Sequence, residues 1–449
     1  MIEHVVVLML ENRSFDCMLG WLYRDRPDFA GLRGDESNPW HRDDGTVEQI
    51  PVWNDGTLSP QSASLPEADP GELYDDMNMQ IYGLHPDGTP RMDGFVDNYM
   101  RQPVSDTPLD PRSIMHCFVP DQLPVLSQLA QSFGVADQWF ASAPCETWPN
   151  RLFVHAGQSG GQTDNAAIPL PILLPTVFRR LLRHGRTWKV YFHDVPQTAA
   201  MVDLWPHIPT RFRFFDPEFV ADAADGRLPS YSFIEPRYFS SRLRRAVPND
   251  AHPPHNVAFA EQLIAAVYNA VRTGPAWERT LLVITFDEHG GCYDHVPPPM
   301  ATPVGRVARN GFAFDRFGPR VPAVIVSPYI APGSILRPPG ELPFDHTSII
   351  ATLDALFGLG PPLSARVAAA PDLISVMQLE RPENGGPACI DVGQLQPTRE
   401  EMRSLRGLPR NNHQRRLRWP GVLMAALGAK TAAHTHRARR RLRHKAKAN

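Results

Sequence analysis

Short runs of apolar residues alternate along the chain with segments of helical periodicity. The runs at 4–10, 280–284 and 321–327 are rich in branched side chains and show no polar alternation, which predicts buried strands of a parallel sheet. Other predicted elements are strands at 136–140, 187–193 and 230–234, and helices at 123–133, 177–184, 348–357 and after residue 256. Strands that alternate with helices predict an α/β fold, a three-layer α/β/α sandwich with a mostly parallel sheet.

Two features depart from this alternation. Residues 31–111 are polar and rich in glycine, proline, aspartate and asparagine, with a short helical pattern only at 77–82. A stretch of this kind predicts a long loop insertion over the sheet edge, a candidate lid. Gly134 directly follows the helical pattern at 123–133, where a glycine is typical of a helix C-terminal cap.

Composition narrows the class of protein. The 449 residues carry a net charge of −3, so the composition gives no support for nucleic-acid binding. The 47 prolines indicate many ordered loops between elements. The 5 cysteines are far apart and form no Cys-x-x-Cys pair. This spacing excludes a cysteine-type zinc module and disfavours a disulfide framework.

The two ends of the chain suggest a location. The apolar run at 4–10 is too short for a signal peptide or a membrane span, which predicts a cytoplasmic or peripherally membrane-associated protein. If an export signal has been removed, a secreted or periplasmic location is expected instead. Residues 1–385 are predicted to form one domain, and 386–449 a C-terminal extension. The basic tail at 415–449 is either disordered or a contact for anionic lipid.

Candidate chemistry begins where the run at 280–284 ends. After Thr285 and Phe286 come Asp287 and Glu288, and Gly290 and Gly291 stand shortly beyond them. The carboxyl edge of an open α/β sheet is where such folds bind ligands. Adjacent carboxylates in that position repel each other unless a cation or a proton lies between them. A metal site is therefore predicted, and the alternative is a solvated turn.

A second strand ends in similar chemistry. Glu11 and Asn12 follow the run at 4–10, and their side-chain oxygens are ligands that suit a hard cation. As the alternative, Glu11 is simply exposed, and Ser14 or Asp16 caps a helix.

Candidate phosphate contacts lie elsewhere in the chain. Thr147 precedes Pro149 at a predicted helix start, where backbone N–H groups and the helix dipole favour an anion. Its alternative role is that of an ordinary N-cap. His252 and His255 belong to a proline-rich loop and can equally be surface residues. His346 lies near the start of the helix at 348–357, where the alternative is capping by its neighbours.

Five segments in this order, 11–16, 147–151, 249–255, 287–291 and 345–348, resemble one known family. It is the bacterial phosphoesterase family that includes non-haemolytic phospholipases C and acid phosphatase A, with relatives among plant non-specific phospholipases C. The family is similar to the alkaline-phosphatase-like superfamily, so the resemblance implies that fold with long loop insertions. Each segment alone is weakly specific, whereas the ordered set covers most of the chain up to about residue 380.

The resemblance implies roles for individual residues. It implies a divalent cation held by Glu11, Asn12, Asp287 and Glu288, with Thr147 as the hydroxyl nucleophile that also touches the metal. It further implies a phosphoryl pocket lined by His252, His255 and His346. A threonine hydroxyl needs a base or a metal to become nucleophilic, so the implied site is chemically consistent. The implied cycle passes through a phospho-threonine intermediate that water hydrolyses.

One position departs from the family pattern. Where many relatives have a phosphate-contacting histidine after Asp-Pro-Gly, this chain has Glu72. A carboxylate beside a phosphate is unfavourable unless it is protonated or bound to a metal. Three outcomes are open: Glu72 recruits a second cation, His85 replaces the missing histidine, or the loop has lost its role.

The leading functional hypothesis is a metal-dependent phosphodiesterase of phospholipase C type that acts on phospholipids. The alternatives are a broad-specificity acid phosphomonoesterase and a catalytically impaired homologue that binds phosphate esters or membranes. The oxygen ligands favour calcium, magnesium or manganese, and the family leaves zinc open.

Overall fold

The computed structural model describes residues 1–85, 87–103, 108–241, 243–393, 395–407 and 411–424. The strands are β1 His4–Leu10, β2 Ser37–His41, β3 Val47–Pro51, β4 Gly134–Val135, β5 Trp139–Phe140, β6 Trp188–Phe192, β7 Phe212–Phe214, β8 Tyr231–Glu235, β9 Thr280–Phe286, β10 Ala323–Val326, β11 Ser334–Ile335 and β12 Phe344–Asp345. The α-helices are α1 Phe15–Leu19, α2 Tyr74–Tyr82, α3 Phe95–Met100, α4 Pro124–Ser132, α5 Thr147–Ala156, α6 Val177–Arg183, α7 Ile208–Arg211, α8 Val220–Ala224, α9 Val257–Thr273, α10 Thr347–Phe357, α11 Ala365–Ala369, α12 Arg399–Gly407 and α13 Asn412–Arg416.

An eight-stranded sheet in the order β11-β4-β10-β9-β1-β8-β6-β7 forms the centre of the molecule. β1 pairs in parallel with β8 and β9, whereas β10 runs antiparallel to its neighbours β9 and β4. Successive residues of β9 are all buried, so both faces of the sheet are covered. The predicted α/β sandwich with a mostly parallel sheet is confirmed.

The two central strands bring the predicted metal ligands to one edge. Leu10 of β1 is in register with Phe286 of β9, and both strands point in the same direction. β9 continues two residues beyond the predicted 280–284 segment, so Glu11 and Asp287 leave the sheet side by side. The amide N–H of Asp287 donates to the carbonyl of Leu10 at 3.2 Å, which fixes this register at the strand ends.

The predicted helices are present, with one corrected boundary. Helices α4, α6, α9 and α10 occupy the segments with helical periodicity, and α10 ends at Gly358 in the left-handed conformation. Gly134 is not a helix cap, because it begins strand β4. A Cβ at this position would lie 2.6 Å from Leu336 Cδ1, so close packing between chain segments explains the glycine. The predicted strand at 136–140 is reduced to β5.

The insertion at 31–111 is more structured than a loop. It contains the hairpin β2–β3 and the helices α2 and α3. An apolar cluster of its own includes Ile81, Phe95 and Tyr99, which are almost fully buried. Hydrophobic periodicity along the sequence did not predict this cluster, because its helices and strands are short and separated by polar turns. Helix α2 confirms the helical pattern predicted at 77–82.

The described part of the C-terminal extension packs against the main body. Asn269 on α9 donates to the carbonyl of Ile390 at 2.8 Å, and Leu417 is fully buried. The domain boundary at 385 remains a prediction. The basic residues of the tail beyond 424 lie outside the described residues. Within the described ranges, no helix combines the length and the apolar character needed to cross a membrane.

Candidate active site

Asn12 is the central residue of the site at the ends of β1 and β9. Its backbone has φ 56°, a left-handed conformation that non-glycine residues seldom adopt. In this conformation its N–H donates to Asp287 Oδ1 at 3.1 Å and its Nδ2 donates to Glu288 Oε1 at 2.7 Å. Strain of this kind concentrates at functional sites, where the surrounding contacts maintain it.

The two glycines after Glu288 allow the chain to close around Asn12. Gly290 has φ +61°, and a Cβ there would clash with the Asn12 carbonyl. Gly291 also has positive φ, and a Cβ there would lie 2.7 Å from Pro70. Asp287 and Glu288 are both fully buried, so the alternative of a solvated turn is wrong.

Thr147 is the first residue of helix α5 and lies against the same cluster. Its Oγ1 donates to Asn12 Oδ1 at 3.3 Å, and its side chain is fully buried. The helix N-cap is Glu146, so the alternative interpretation of Thr147 as the cap is wrong. The structure therefore joins the predicted nucleophile to the predicted cation ligands.

Arg151, which follows Thr147 by one helical turn, is a site residue for which sequence reasoning assigned no role. Its Nε donates to Asp287 Oδ2 at 2.8 Å, and its Nη2 donates to the carbonyls of Met9 and Leu10. The same Nη2 lies 3.5 Å from Glu11 Oε1. The spacing of four residues after Thr147 was the available signal, because such residues share one helix face.

Burial and crowding control the electrostatics of the cluster. Burial first, and then the nearby Asp287 carboxylate, raise the pKa of Glu11 well above its usual range. Burial is also the main cause that raises the pKa of Glu288 well above its usual range, and the Glu72 and Asp287 carboxylates add to this shift. Burial raises the pKa of Asp287 as well, although Arg151 opposes this shift. Buried carboxylates in such proximity favour a proton or a cation between them.

The donor set fits a divalent cation. Glu11 Oε1 is buried and has no hydrogen-bond partner among the described residues, which is rare for a carboxylate oxygen inside a protein. Glu11, Asn12, Asp287 and Glu288 are all buried where the paired strands β1 and β9 end, and their side-chain oxygens are ligands that such ions prefer. Arg151 supplies one compensating charge from behind the cluster.

Glu72 reaches this site from the insertion. Its Oε1 accepts from Asn12 Nδ2 at 2.5 Å and lies 3.3 Å from His252 Nε2. Glu72, Asp69 and His252 place potential ligand atoms within 4.8 Å of one another. Burial alone would lower the pKa of His252, but Glu72 and Asp69 raise it well above its usual range. His85 pairs instead with Asp93 at 2.6 Å.

The other predicted histidines occupy two different environments. The Nδ1 of His255 lies 2.6 Å from Asp250 Oδ1, and its ring centroid lies 5.8 Å from that of His252. His346 uses both ring nitrogens on protein partners. Its Nδ1 accepts from Trp139 at 3.3 Å and its Nε2 lies 2.6 Å from the carbonyl of Asp287. Burial lowers the pKa of His346 to about 4. His346 therefore supports Asp287 from outside the cluster, and the predicted contact with phosphate remains a prediction.

His413, near the C-terminus, is a second residue that sequence reasoning missed. Its ring lies against Tyr238 at a centroid distance of 4.6 Å, and its Nε2 lies 3.1 Å from Glu11 Oε1. Burial, with help from Arg151, lowers the pKa of His413 well below its usual range. No periodic or spacing signal links this residue to a strand end some four hundred positions earlier in the chain.

A cleft of about 550 Å³ is lined by residues that neighbour two of the site residues in the sequence. Its lining includes Leu73, which follows Glu72, and Glu146, which precedes Thr147. Leu73 is 46% exposed, so an apolar side chain stands at the rim of this cleft. The cleft thus has mixed polar and apolar walls, and none of the predicted site residues lines it.

An α/β sandwich with a hydroxyl at a helix N-terminus, in contact with an amide among buried carboxylates at the carboxyl ends of parallel strands, suits a phosphoric ester hydrolase. Residues 2–360 match the model of the Phosphoesterase family, and the chain belongs to that family. The predicted family and reaction class are confirmed.

Relatives and a solved structure extend this comparison. The chain is 39% identical to non-specific phospholipase C1 of Arabidopsis thaliana over 372 residues, 80% of this chain and 67% of that protein. It is 27% identical to phospholipase C B of Mycobacterium tuberculosis over 460 residues, 88% of this chain and 81% of that protein. A protein of the alkaline phosphatase superfamily from Vibrio parahaemolyticus is 13% identical, with a TM-score of 0.33 over 56% of this chain and 63% of that one.

Proposed function

We propose that the chain is a cation-dependent phosphodiesterase of phospholipase C type, which releases diacylglycerol and a phosphorylated head group. The observation that carries this proposal is the contact between Thr147 Oγ1 and Asn12 Oδ1 inside the carboxylate cluster. The names of the plant and mycobacterial relatives support a phospholipid as the substrate.

Four residues that the resemblance implied as cation ligands, Glu11, Asn12, Asp287 and Glu288, converge in the structure. When bound there, a divalent cation would polarise a phosphoryl oxygen and lower the pKa of a neighbouring hydroxyl. Arg151 holds the Asp287 carboxylate in place, and His346 holds the adjacent backbone carbonyl.

Thr147 acts as the nucleophile in this proposal. Its deprotonated oxygen attacks the phosphorus, and the bond from phosphorus to the glycerol oxygen breaks. The dipole of the ten-residue helix α5 favours the negative oxygens of the transferred group at the helix N-terminus, although the N–H of Trp148 already donates to Asn165 Oδ1 at 2.7 Å and Pro149 has no N–H. The product of this step is a phospho-threonine that carries the head group.

His252 supplies and recovers the proton. Glu72 and Asp69 raise the pKa of His252, which favours its protonated form, and in this proposal it donates to the leaving diacylglycerol oxygen. In the second half of the cycle it accepts a proton from water, whose oxygen attacks the same phosphorus. The bond between phosphorus and Thr147 Oγ1 breaks, so the phosphorylated head group leaves and the deprotonated Thr147 oxygen is regenerated. His255 lies behind His252 and keeps Asp250 in place.

The experiment is hydrolysis of a chromogenic phosphodiester, a phosphomonoester and a phospholipid by metal-stripped protein, with calcium, magnesium, manganese or zinc added back singly. Thr147→Ala is compared with Thr147→Ser, which retains a hydroxyl, and with Thr210→Ala, an exposed threonine. We expect cation-restored diesterase activity that only Thr147→Ala abolishes.

Each other outcome has a defined meaning. Activity on the monoester alone would identify a phosphatase, and activity unchanged in Thr147→Ala would refute the assignment of the nucleophile. If the wild-type protein turns over none of the three substrates, the chain is a binding homologue and the proposed enzyme activity is wrong.

A further inference from the structure

The segment from Asn411 to Leu417 forms part of the wall of the candidate active site. Helix α13 begins after Asn411, whose side chain accepts from the N–H of Gln414. Asn411 Nδ2 lies 3.0 Å from His252 Nε2, the imidazole nitrogen that also faces Glu72. Leu417 is fully buried in the main core, which anchors the end of the segment. The C-terminal extension thus contacts the site directly.

His413 projects from this segment toward Glu11. The Nε2 of His413 and Oε1 of Glu11 are 3.1 Å apart, and each side chain is 1% exposed. Neither of these atoms, nor Nδ1 of His413, has a hydrogen-bond partner among the described residues. Their contact therefore lacks the geometry of a hydrogen bond, although both atoms are shielded from water.

Two polar atoms that face each other without a hydrogen bond are rare in a dry interior, and the only charge partner of Glu11 Oε1 besides His413 among the described residues is Arg151 Nη2 at 3.5 Å. Leaving a buried polar group unsatisfied costs about 1–3 kcal/mol, and more for a charged group. A cation between the two atoms removes this cost. Metal–nitrogen and metal–oxygen bonds of roughly 2.0–2.2 Å place neighbouring ligand atoms about 3 Å apart, which matches the observed separation.

We propose that His413 is an additional, nitrogen ligand of the cation bound at Glu11, and that the site consequently takes a zinc- or manganese-type metal in preference to calcium. The inference rests on the proposed function, because it assumes a cation at the carboxylate cluster. Imidazole suits zinc and other transition metals, whereas calcium is bound almost entirely by oxygen. The residues that the sequence resemblance implied were all oxygen ligands, so His413 changes the expected metal.

The neighbouring residues support this assignment. Tyr238 packs against the imidazole of His413 and limits its orientation, and Gln414 donates to the carbonyl of Tyr238 at 2.8 Å. Arg416 donates to the carbonyl of Ile168, which ties the same helical turn to the main body. A ligand on a short terminal helix needs such anchors, because its position otherwise carries a high entropic cost.

The test measures metal binding directly on the full-length, metal-stripped protein. Calorimetric titrations with Zn²⁺, Mn²⁺ and Ca²⁺ compare wild type, His413→Ala, His413→Gln and Arg418→Ala, a change at an exposed residue that directly follows the segment. We expect His413→Ala to weaken Zn²⁺ and Mn²⁺ binding about 10- to 100-fold, with a much smaller change for Ca²⁺. Arg418→Ala should match wild type.

A second variant with a spectroscopic readout keeps the test informative if His413→Ala disturbs the fold. His413→Cys places a thiol at the same position, and in Co²⁺-loaded protein a coordinated thiolate adds an intense charge-transfer absorption band. Its appearance would support ligation by residue 413. If the affinities of both His413→Ala and His413→Gln equal that of wild type, and the cysteine variant shows no new band, the inference is wrong.

The outcomes separate this inference from the proposed function. A wild-type protein that binds no divalent cation and hydrolyses no ester would overturn both. A wild-type protein that binds zinc or manganese and hydrolyses diesters, with affinities unaffected at residue 413, would overturn only the role of His413. Wild-type affinity that is highest for Ca²⁺ would contradict the expected metal class.

Discussion

The Nε of Arg151 lies 2.8 Å from Oδ2 of Asp287, and both side chains are fully buried. This ion pair connects the helix that carries Thr147 to the strand end that carries the predicted metal ligands. The guanidinium also donates to backbone carbonyls at the end of β1, so a single side chain holds three parts of the site together.

Replacing Arg151 should therefore damage both stability and activity. Arg151→Gln leaves a buried carboxylate without its charge partner, which typically costs about 3–5 kcal/mol of unfolding free energy. Urea unfolding and diesterase assays measure the two effects, with the half-exposed Arg179→Gln as the control. A stability loss below about 1 kcal/mol would contradict the structural role of this pair.

Gly290 offers a test of the close approach between the two strand ends. Gly290→Ala combines positive φ with a clash against the Asn12 carbonyl, whereas Gly305→Ala has positive φ and open space around it. We expect about 1 kcal/mol of destabilisation for Gly305→Ala and about 3 kcal/mol for Gly290→Ala. Cation affinity should fall only in Gly290→Ala. Equal effects of the two substitutions would mean that backbone conformation alone requires the glycine.

The sequence allowed the centre of the site to be predicted for a physical reason. Glu11 directly follows the apolar run at 4–10 and Asp287 stands two residues beyond the run at 280–284, and parallel strands of similar length end at the same sheet edge. Thr147 was predictable from the helix start marked by Pro149. Local pattern therefore placed the predicted cation ligands at one sheet edge and Thr147 at a helix start, while the role of Thr147 as nucleophile came from the family resemblance and remains a prediction.

The parts of the site and fold that the sequence did not predict depend on contacts between distant segments, which local sequence pattern does not encode. Glu72 reaches Asn12 only because the insertion folds around its own apolar cluster. His413 reaches Glu11 only because Leu417 is buried in the main core. The antiparallel direction of β10 could not be predicted either, because an apolar run does not indicate in which direction its strand runs in the sheet.

Glu72 should hinder the binding of an anionic substrate. Its carboxylate stands between Asn12 and His252, where the resemblance implies a histidine that contacts phosphate. Glu72→His removes a negative charge from this space, and we expect KM for a phosphodiester to fall about fivefold, equivalent to ~1 kcal/mol. Glu67→His, at an exposed position of the same loop, is the control. An unchanged or increased KM would indicate that Glu72 has a favourable role, such as holding a second cation.

The basic residues beyond 424 are proposed to contact anionic lipid. Each lysine or arginine near an anionic membrane contributes about 1 kcal/mol, and salt screens this attraction. A chain ending at residue 424 keeps the anchored segment with His413 and lacks the basic tail. In liposome flotation we expect it to bind phosphatidylserine vesicles less than the full chain does, with no difference on neutral vesicles. Equal flotation of the two proteins would refute a membrane role for the tail.

His295 gives a prediction for the dependence of stability on pH. Its Nδ1 lies 2.6 Å from Asp16 Oδ2, and Asp294 and Arg320 belong to the same network. Burial alone would lower the pKa of His295, but the Asp16 carboxylate raises it above its ordinary value. The folded state therefore binds the proton more tightly than the unfolded state. This contribution is complete below the ordinary histidine pKa of about 6.5 and is lost as pH rises through the folded pKa.

His295→Gln should accordingly destabilise the protein by about 1 kcal/mol more at pH 5.5 than at pH 9. Urea unfolding of wild type and variant at both pH values measures this difference. Asp16→Asn removes the partner that raises the pKa, so the added His295→Gln change should then show little dependence on pH. A pH-independent difference in the wild-type background would show that the ion pair contributes no proton linkage, and that His295 acts only through packing and neutral hydrogen bonds.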